Sequence, residues 1–325
     1  MSEEIKNVLI AGVSEWIFLY ESYMKLSNRS KASGNLGPFV LDALNQYPQF
    51  TVSVLSRKGS KSTFPSHITV HHVAESYDEE ELLPTLKGQD AVISLIRPGQ
   101  QKEIKSLIDA CVKAGVKRFI PGEFGSNSVP EAVREAVPWL QNKLNLVNHL
   151  KTKESDGLTW TSVVCGAFFD WGLTSNFLAF SLPTRTAVIY DTGTCHSRMT
   201  TLSTIGLAVA HLLRPPHYAA SSNRYIFISS FSVTQNEILA SLEKATGETW
   251  TKKHRSTAET RKSALQRAKD GDPNAVEENL TACHYSEIEG MDYEDEELWN
   301  ERLGLPVEDV DEVVARVIKE ESAKA

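Results

Sequence analysis

The chain has 325 residues, a net charge of -8 at pH 7, 41% hydrophobic and 23% charged residues. That length suits one large α/β domain or a nucleotide-binding domain with a smaller companion, and the composition excludes disordered and fibrous classes. The acidic balance argues against nucleic acid or an anionic membrane surface as partner, since both need clustered Lys and Arg.

In chain order, "KNVLIAG" (6–12) is a short apolar run closed by glycine, which predicts a buried strand and a tight turn. "GNLGPFVLDALNQY" (34–47) predicts a helix, with Phe39, Val40, Ala43 and Leu44 at helical spacing. Strands follow in "FTVSVLSR" (50–57) and "ITVHHV" (68–73), then an acidic helix start at Asp78 to Glu81. "DAVISLI" (90–96) predicts a fourth strand, "QKEIKSLIDACVKAGV" (101–116) a helix, and "KRFIPGEFG" (117–125) a fifth strand with its loop. A helix from Val129 to Lys153 and a strand in "LTWTSVVCGAFFDW" (158–171) continue the alternation. Strands and helices alternating at this spacing build right-handed βαβ units, so the expected fold class is α/β: a Rossmann-type, doubly wound parallel sheet. Beyond residue 170 the alternation weakens into mixed short elements, read as a smaller C-terminal α/β lobe. The expected division is a NAD(P)-binding domain over 1–165 and a substrate-binding lobe over 166–325. The charged segment from Thr251 to Asp272 reads as a solvated amphipathic helix.

Gly12 is the last residue before an interruption. With residues 13–31 removed, the chain reads Gly12-x-x-Gly34-x-x-Gly37 directly between the first strand and the first helix. Glycines there permit a tight turn and let backbone amides approach a pyrophosphate at a helix N-terminus. Cofactor contacts are therefore expected from Gly12, Ser33, Gly34, Asn35, Leu36 and Gly37. The intervening "VSEWIFLYESYMKLSNRSK" carries neither glycine nor proline and has an apolar cluster from Trp16 to Tyr20. Its 19 codons can begin with a splice-donor sequence at Val13-Ser14 and contain a fungal branch-point sequence at Ser27-Asn28. It reads as a retained short intron; the other reading is a surface insertion forming a short helix, which a loop tolerates thermodynamically.

With the loop restored, the sequence resembles the isoflavone reductase-like and NmrA-like branch of the atypical short-chain dehydrogenases, its fungal members above all. The resemblance rests on "GASGNLG" across the interruption, "LLPTLKGQDAVIS" (82–94), "ACVKAGVKRFIPGEFGSNS" (110–128) and "GAFFDWGL" (166–173). It implies a Rossmann-type domain, NADPH use, and a cleft built by the C-terminal lobe for a small, aromatic substrate. The alternative it carries is a dinucleotide-sensing regulator that binds a protein partner without turnover.

Residue types refine both readings. A NAD site places a carboxylate at the end of the second strand, whereas "VLSRKGSK" offers Arg57, Lys58 and Lys61, which favours a 2'-phosphate. The two lysines also read as ordinary solubilising charges, while Arg57 resembles the family's phosphate-binding arginine. None of the nine tyrosines is followed by Lys four positions on, so the usual Tyr-x-x-x-Lys proton delivery is excluded. The resemblance instead implies a catalytic lysine in the helix after the fifth strand, and Lys143 stands at the matching position. Independently, Leu140, Leu144, Leu146, Val147 and Leu150 form an apolar arc that includes Lys143, where a lysine must snorkel, pair or carry a perturbed pKa. Loops after the fourth and fifth strands should face the nicotinamide, which selects Arg97, Pro98, Glu123, Phe124 and Gly125. Gly122 stands where many relatives carry serine. Phe168, Phe169 and Trp171 resemble the family's pocket lining and read equally as core.

No metal site is expected, since His67, His71 and His72 lack a nearby carboxylate set, and no hydrolase or kinase motif occurs. Cys111, Cys165, Cys195 and Cys283 lie far apart, which points to reduced thiols and a cytoplasmic location. No run approaches the ~18 apolar residues of a membrane span. Two Asn-x-Ser/Thr patterns, at Asn28 and Asn279, read as chance matches without a secretory leader.

Overall fold

In the computed structural model, the described residues are 4–12 and 35–323. Ser33 and Gly34, and the interrupting stretch at 13–31, lie outside them. The first half runs β1 (Asn7–Ala11), α1 (Gly37–Asn45), β2 (Thr51–Arg57), β3 (Thr69–Val73), α2 (Glu79–Leu86), β4 (Ala91–Ser94), α3 (Gln101–Ala114), β5 (Arg118–Ile120), α4 (Glu131–Ala136), α5 (Gln141–Lys151) and β6 (Thr159–Val164). The second runs β7 (Ala167–Phe168), α6 (Phe169–Thr174), β8 (Phe180–Ser181), β9 (Thr186–Tyr190), β10 (Ser197–Thr200), α7 (Leu202–Leu212), α8 (His217–Ala220), β11 (Arg224–Phe227), β12 (Phe231–Val233), α9 (Gln235–Thr246), β13 (Thr251–Arg255), α10 (Thr257–Lys269), α11 (Pro273–His284) and α12 (Val310–Ser322).

A seven-stranded sheet in the order β11-β6-β5-β4-β1-β2-β3 forms the centre, every neighbouring pair parallel. Side chains of β1 alternate between two cores: Val8 and Ile10 face one, Leu9 and Ala11 the other. Both faces are therefore covered, which is why the strand is apolar from Val8 to Ala11 instead of alternating with polar residues. α1 and α7 close one face, α3 and α5 the other. The strand order reverses at β1, so the crevice between the carboxyl ends of β1 and β4 is the topological switch point.

The remaining strands make two small sheets, β12-β10-β7 and β13-β9-β8, packed with α6, α9 and α12 around a separate apolar core. α7 packs on α1, where a Cβ on Gly206 would sit 2.4 Å from the Phe39 carbonyl, and β11 pairs with β6 as the seventh strand. Residues beyond 165 thus complete the first unit as well as forming the second.

Three local expectations change. The helix expected from Val129 to Lys153 breaks at Val137, held at φ -133° and ψ 75° by the proline that follows it. The strand expected within 158–171 divides at Gly166, whose φ of +63° and closeness to the Arg198 carbonyl turn the chain from the large sheet into a small one. The charged run from Thr251 starts as strand: β13 is exposed at all five residues, yet its backbone pairs with β9 before α10 begins.

Candidate active site

Gly12 ends β1 at φ +82°, and a Cβ there would lie 2.5 Å from Ile96 Cγ1 and 2.6 Å from the Ile96 backbone nitrogen. Only glycine satisfies both the dihedral and the space. Asn35 and Leu36 lead into α1, with Gly37 its first residue; the helix has no side-chain cap and no acidic residue in its first turn. The leading amides thus face the crevice end of the sheet with the positive end of the helix dipole behind them.

At the end of β2, the Arg57 Nη1 donates to Glu75 Oε1 at 2.9 Å. Arg97, on the loop after β4, has its guanidinium pulled down by burial and then by the like charge of Arg57, which places the two cations as neighbours. Tyr77 lies close to the pair, buried at φ +52°; burial pushes its phenol up to about 12 against the pull of Arg57. Lys58, expected beside them, is engaged elsewhere: its ammonium pairs with Glu81, whose other oxygen accepts the Ala74 amide. Lys58 is the first residue past β2, and its side chain turns to Glu81 while that of Arg57 turns to Glu75.

Lys143 belongs to the buried stripe of α5, with Leu146, Val147 and Leu150. Spacing of three, four and seven residues carries all four to the same face. The three apolar members supply about 1.5–3 kcal/mol each on burial, while the amine must find partners inside. Nζ donates to the backbone carbonyls of Glu123, at short range, and Phe124, at 3.2 Å. These come from the loop after β5, which is stitched to the end of β6 because the Gly125 carbonyl accepts the amides of Cys165 and Gly166. At Gly125 a Cβ would lie 3.4 Å from Nζ, and φ is +136°, so glycine keeps this contact open. Burial pulls the Lys143 amine below the ordinary lysine range, against the opposing charge of Glu123. The Cys165 thiol is pushed up by burial to about 12 and stays neutral. An ammonium has three donors and two are used here, which leaves one N–H to give or take.

Glu123 does not face the crevice as expected. It is 1% exposed, its Oε2 accepts Ser128 Oγ at 2.8 Å, and burial raises its carboxyl above the usual range. Its neighbour Phe124 is half-buried and packs against the core beneath α1. At Gly122 a Cβ would meet the carbonyls of Ile96 and Ser94 at 3.1 and 3.2 Å, so a serine there would force the β4 and β5 ends apart by a few tenths of an ångström.

The three aromatic candidates separate. Phe168 and Trp171 are half-buried and meet edge to face with centroids 6.4 Å apart. Phe169 is fully buried in the second core, 4.8 Å from the Phe231 ring, and lines no opening. The chain turns from β7 into α6 between Phe168 and Phe169, which sends their rings in different directions. Residues that sequence reasoning passed over continue the row: Trp171 meets Phe177 at 5.4 Å, and Phe177 meets His284 at 6.0 Å. Nothing in the local sequence marks these, because α6, the loop after it and α11 come together only in the folded chain.

Among the described residues no cluster of three or more His, Cys, Asp or Glu is placed to hold a metal ion, and no helix is long and apolar enough to cross a membrane.

The NmrA-like family pattern matches residues 31–301, beginning where the interrupting stretch ends. The oxidoreductase aprR of Aspergillus flavus is 40% identical over 290 residues, covering 89% of this chain and 97% of that one. Two solved structures share the fold: isoflavone reductase, with a TM-score of 0.67 and 20% identity, and leucoanthocyanidin reductase with NADPH from Vitis vinifera, with 0.68 and 18%; each alignment covers 96% of this chain and 99% of the other. The tight glycine turn and buried lysine on a Rossmann-type sheet therefore sit in an enzyme that belongs to the NmrA-like family.

Proposed function

We propose that this enzyme is an NADPH-dependent reductase that passes hydride to a small aromatic molecule while Lys143 handles the accompanying proton. The observation that carries the reading is the Lys143 amine: buried, held by two carbonyls of the loop after β5, and left with one N–H uncommitted. An amine pulled down by burial trades a proton near neutral pH more readily than an exposed lysine.

The residues present fit the cofactor. The tight space at Gly12 and the uncapped start of α1 suit a pyrophosphate, which Gly12, Asn35, Leu36 and Gly37 would meet through their backbone. Arg57 and Arg97 would hold the 2'-phosphate, whose charge relieves the repulsion between them. Glu75, 77% exposed, is a weak competitor for Arg57, since exposed ion pairs contribute little. NADPH supplies the hydride when bound. Phe168 and Trp171 offer apolar faces to a flat substrate. The NADPH named with leucoanthocyanidin reductase supports the same choice.

The test is calorimetry with NADPH, together with NADPH oxidation against a panel of phenolic and carbonyl compounds. Lys143→Ala should abolish turnover and leave NADPH affinity within about threefold; turnover that survives the substitution rejects the assignment.

A further inference from the structure

Glu123 presents an energetic problem. Its carboxyl is 1% exposed, and while Oε2 accepts from Ser128, itself 0% exposed, Oε1 finds no hydrogen-bond partner among the described residues. A buried charged oxygen left so costs several kcal/mol unless a counter-charge is near. The cation whose field reaches it is Lys143, and the two are tied through the chain, since Nζ donates to the carbonyl of Glu123 itself. No direct carboxylate–ammonium contact is made, so the carboxylate acts through space and leaves the third N–H of Lys143 uncommitted.

We propose that Glu123 is a positioning residue for Lys143: its buried carboxylate, anchored by Ser128, keeps the amine a cation seated on the 123–124 carbonyls. The proposal rests on the reductase reading for its purpose but not for its physics. The groups facing Lys143 are Glu123 from the loop after β5 and Cys165 from the end of β6. Behind Glu123 stands Tyr225 of β11, whose phenol is raised by burial and by Glu123, with Arg134 of α4 opposing. Burial pulls the lysine down, and the Glu123 charge works against that pull.

The loop geometry explains why the arrangement survives. Ser128 follows Glu123 by five residues and reaches back across the loop, while Asn127 Oδ1 accepts the Val129 amide and Arg134 donates to the carbonyls of Ser128 and Val129. The anchor is thus fixed by three further hydrogen bonds, and its serine has little freedom to release the carboxylate.

The experiment uses the full chain labelled with 13C-lysine, following the Cε resonance of Lys143 against pH and assigning it by its loss in Lys143→Met. Glu123→Gln keeps the shape and removes the charge, so the Lys143 midpoint should fall by about one pH unit, a tenfold change in the ratio of charged to neutral amine. Ser128→Ala, which removes only the hydroxyl that donates to Glu123, should move it the same way by less. A midpoint unchanged in both variants overturns the proposal, as it would if Glu123 were a neutral acid. The titration needs no substrate: a shifted midpoint without NADPH turnover would uphold the positioning role and sink the reductase, and the reverse pattern would do the opposite.

Discussion

His284 closes α11 and is 4% exposed, with Nε2 3.3 Å from Ser126 Oγ and Nδ1 3.4 Å from Ser197 Oγ. One serine lies on the loop after β5 and the other opens β10, so the imidazole joins the large sheet to the second unit. A neutral ring with one donor and one acceptor suits two hydroxyls. Burial pulls its pKa down to about 4 from 6.5, and no carboxylate offsets that. Because the folded value is depressed, the unfolded chain binds more protons than the folded one between the two pKa values. The contribution is fully present above pH 6.5 and is lost as pH falls through 4. At pH 5 the unfolded imidazole is almost all charged and the folded one almost all neutral, a difference of about 2 kcal/mol relative to pH 7.5. Urea unfolding at the two pH values, for the wild type and for His284→Gln, isolates the term from every carboxylate common to both proteins. The variant should lose about 2 kcal/mol less on acidification. Equal losses would mean that the ring is already solvated or already charged, and the reasoning would fail.

Three further outcomes are expected. Arg57→Ala should weaken NADPH binding by about 30-fold, the worth of a charge-assisted hydrogen bond near 2 kcal/mol, and leave NADH binding unchanged by calorimetry. Arg118, fully buried, donates to Thr159, Thr161, Ser221, Ser222 and the Tyr218 carbonyl without an acidic partner. Arg118→Met strands those acceptors and should cost about 3 kcal/mol in urea unfolding; a loss under about 1 kcal/mol would show that the hydroxyls pair among themselves. A chain without residues 13–31 should bind NADPH more tightly than the full chain, and transcript reads across the junction that retain all 19 codons as the dominant form would reject the intron reading.

The sheet was legible because β1, β2 and β4 are compact apolar runs with a glycine or a charged turn nearby, and parallel strands bury both faces. β11 was not, since "NRYIFISSFSV" carries no mark that it returns to a sheet left more than 50 residues before. Lys143 stood out because a charge inside an apolar helical arc is a local contradiction. Glu123 misled for the converse reason: in a loop, nothing periodic says which way a side chain turns, and only the position of Ser128 decides it. Arg118 gave no signal at all, because its partners lie 41 to 104 residues away.

The late return of α7 and β11 bears on how this enzyme can be taken apart. A fragment ending at residue 165 would lack the outermost strand of its sheet and the helix that covers α1, leaving Val40, Leu44 and Val163 open to water. Dissecting nucleotide affinity from substrate choice by truncation would therefore yield an insoluble piece. Chimeras with relatives should instead exchange β7 to β10 together with the stretch from β12 onward, because the second core draws its apolar residues from both.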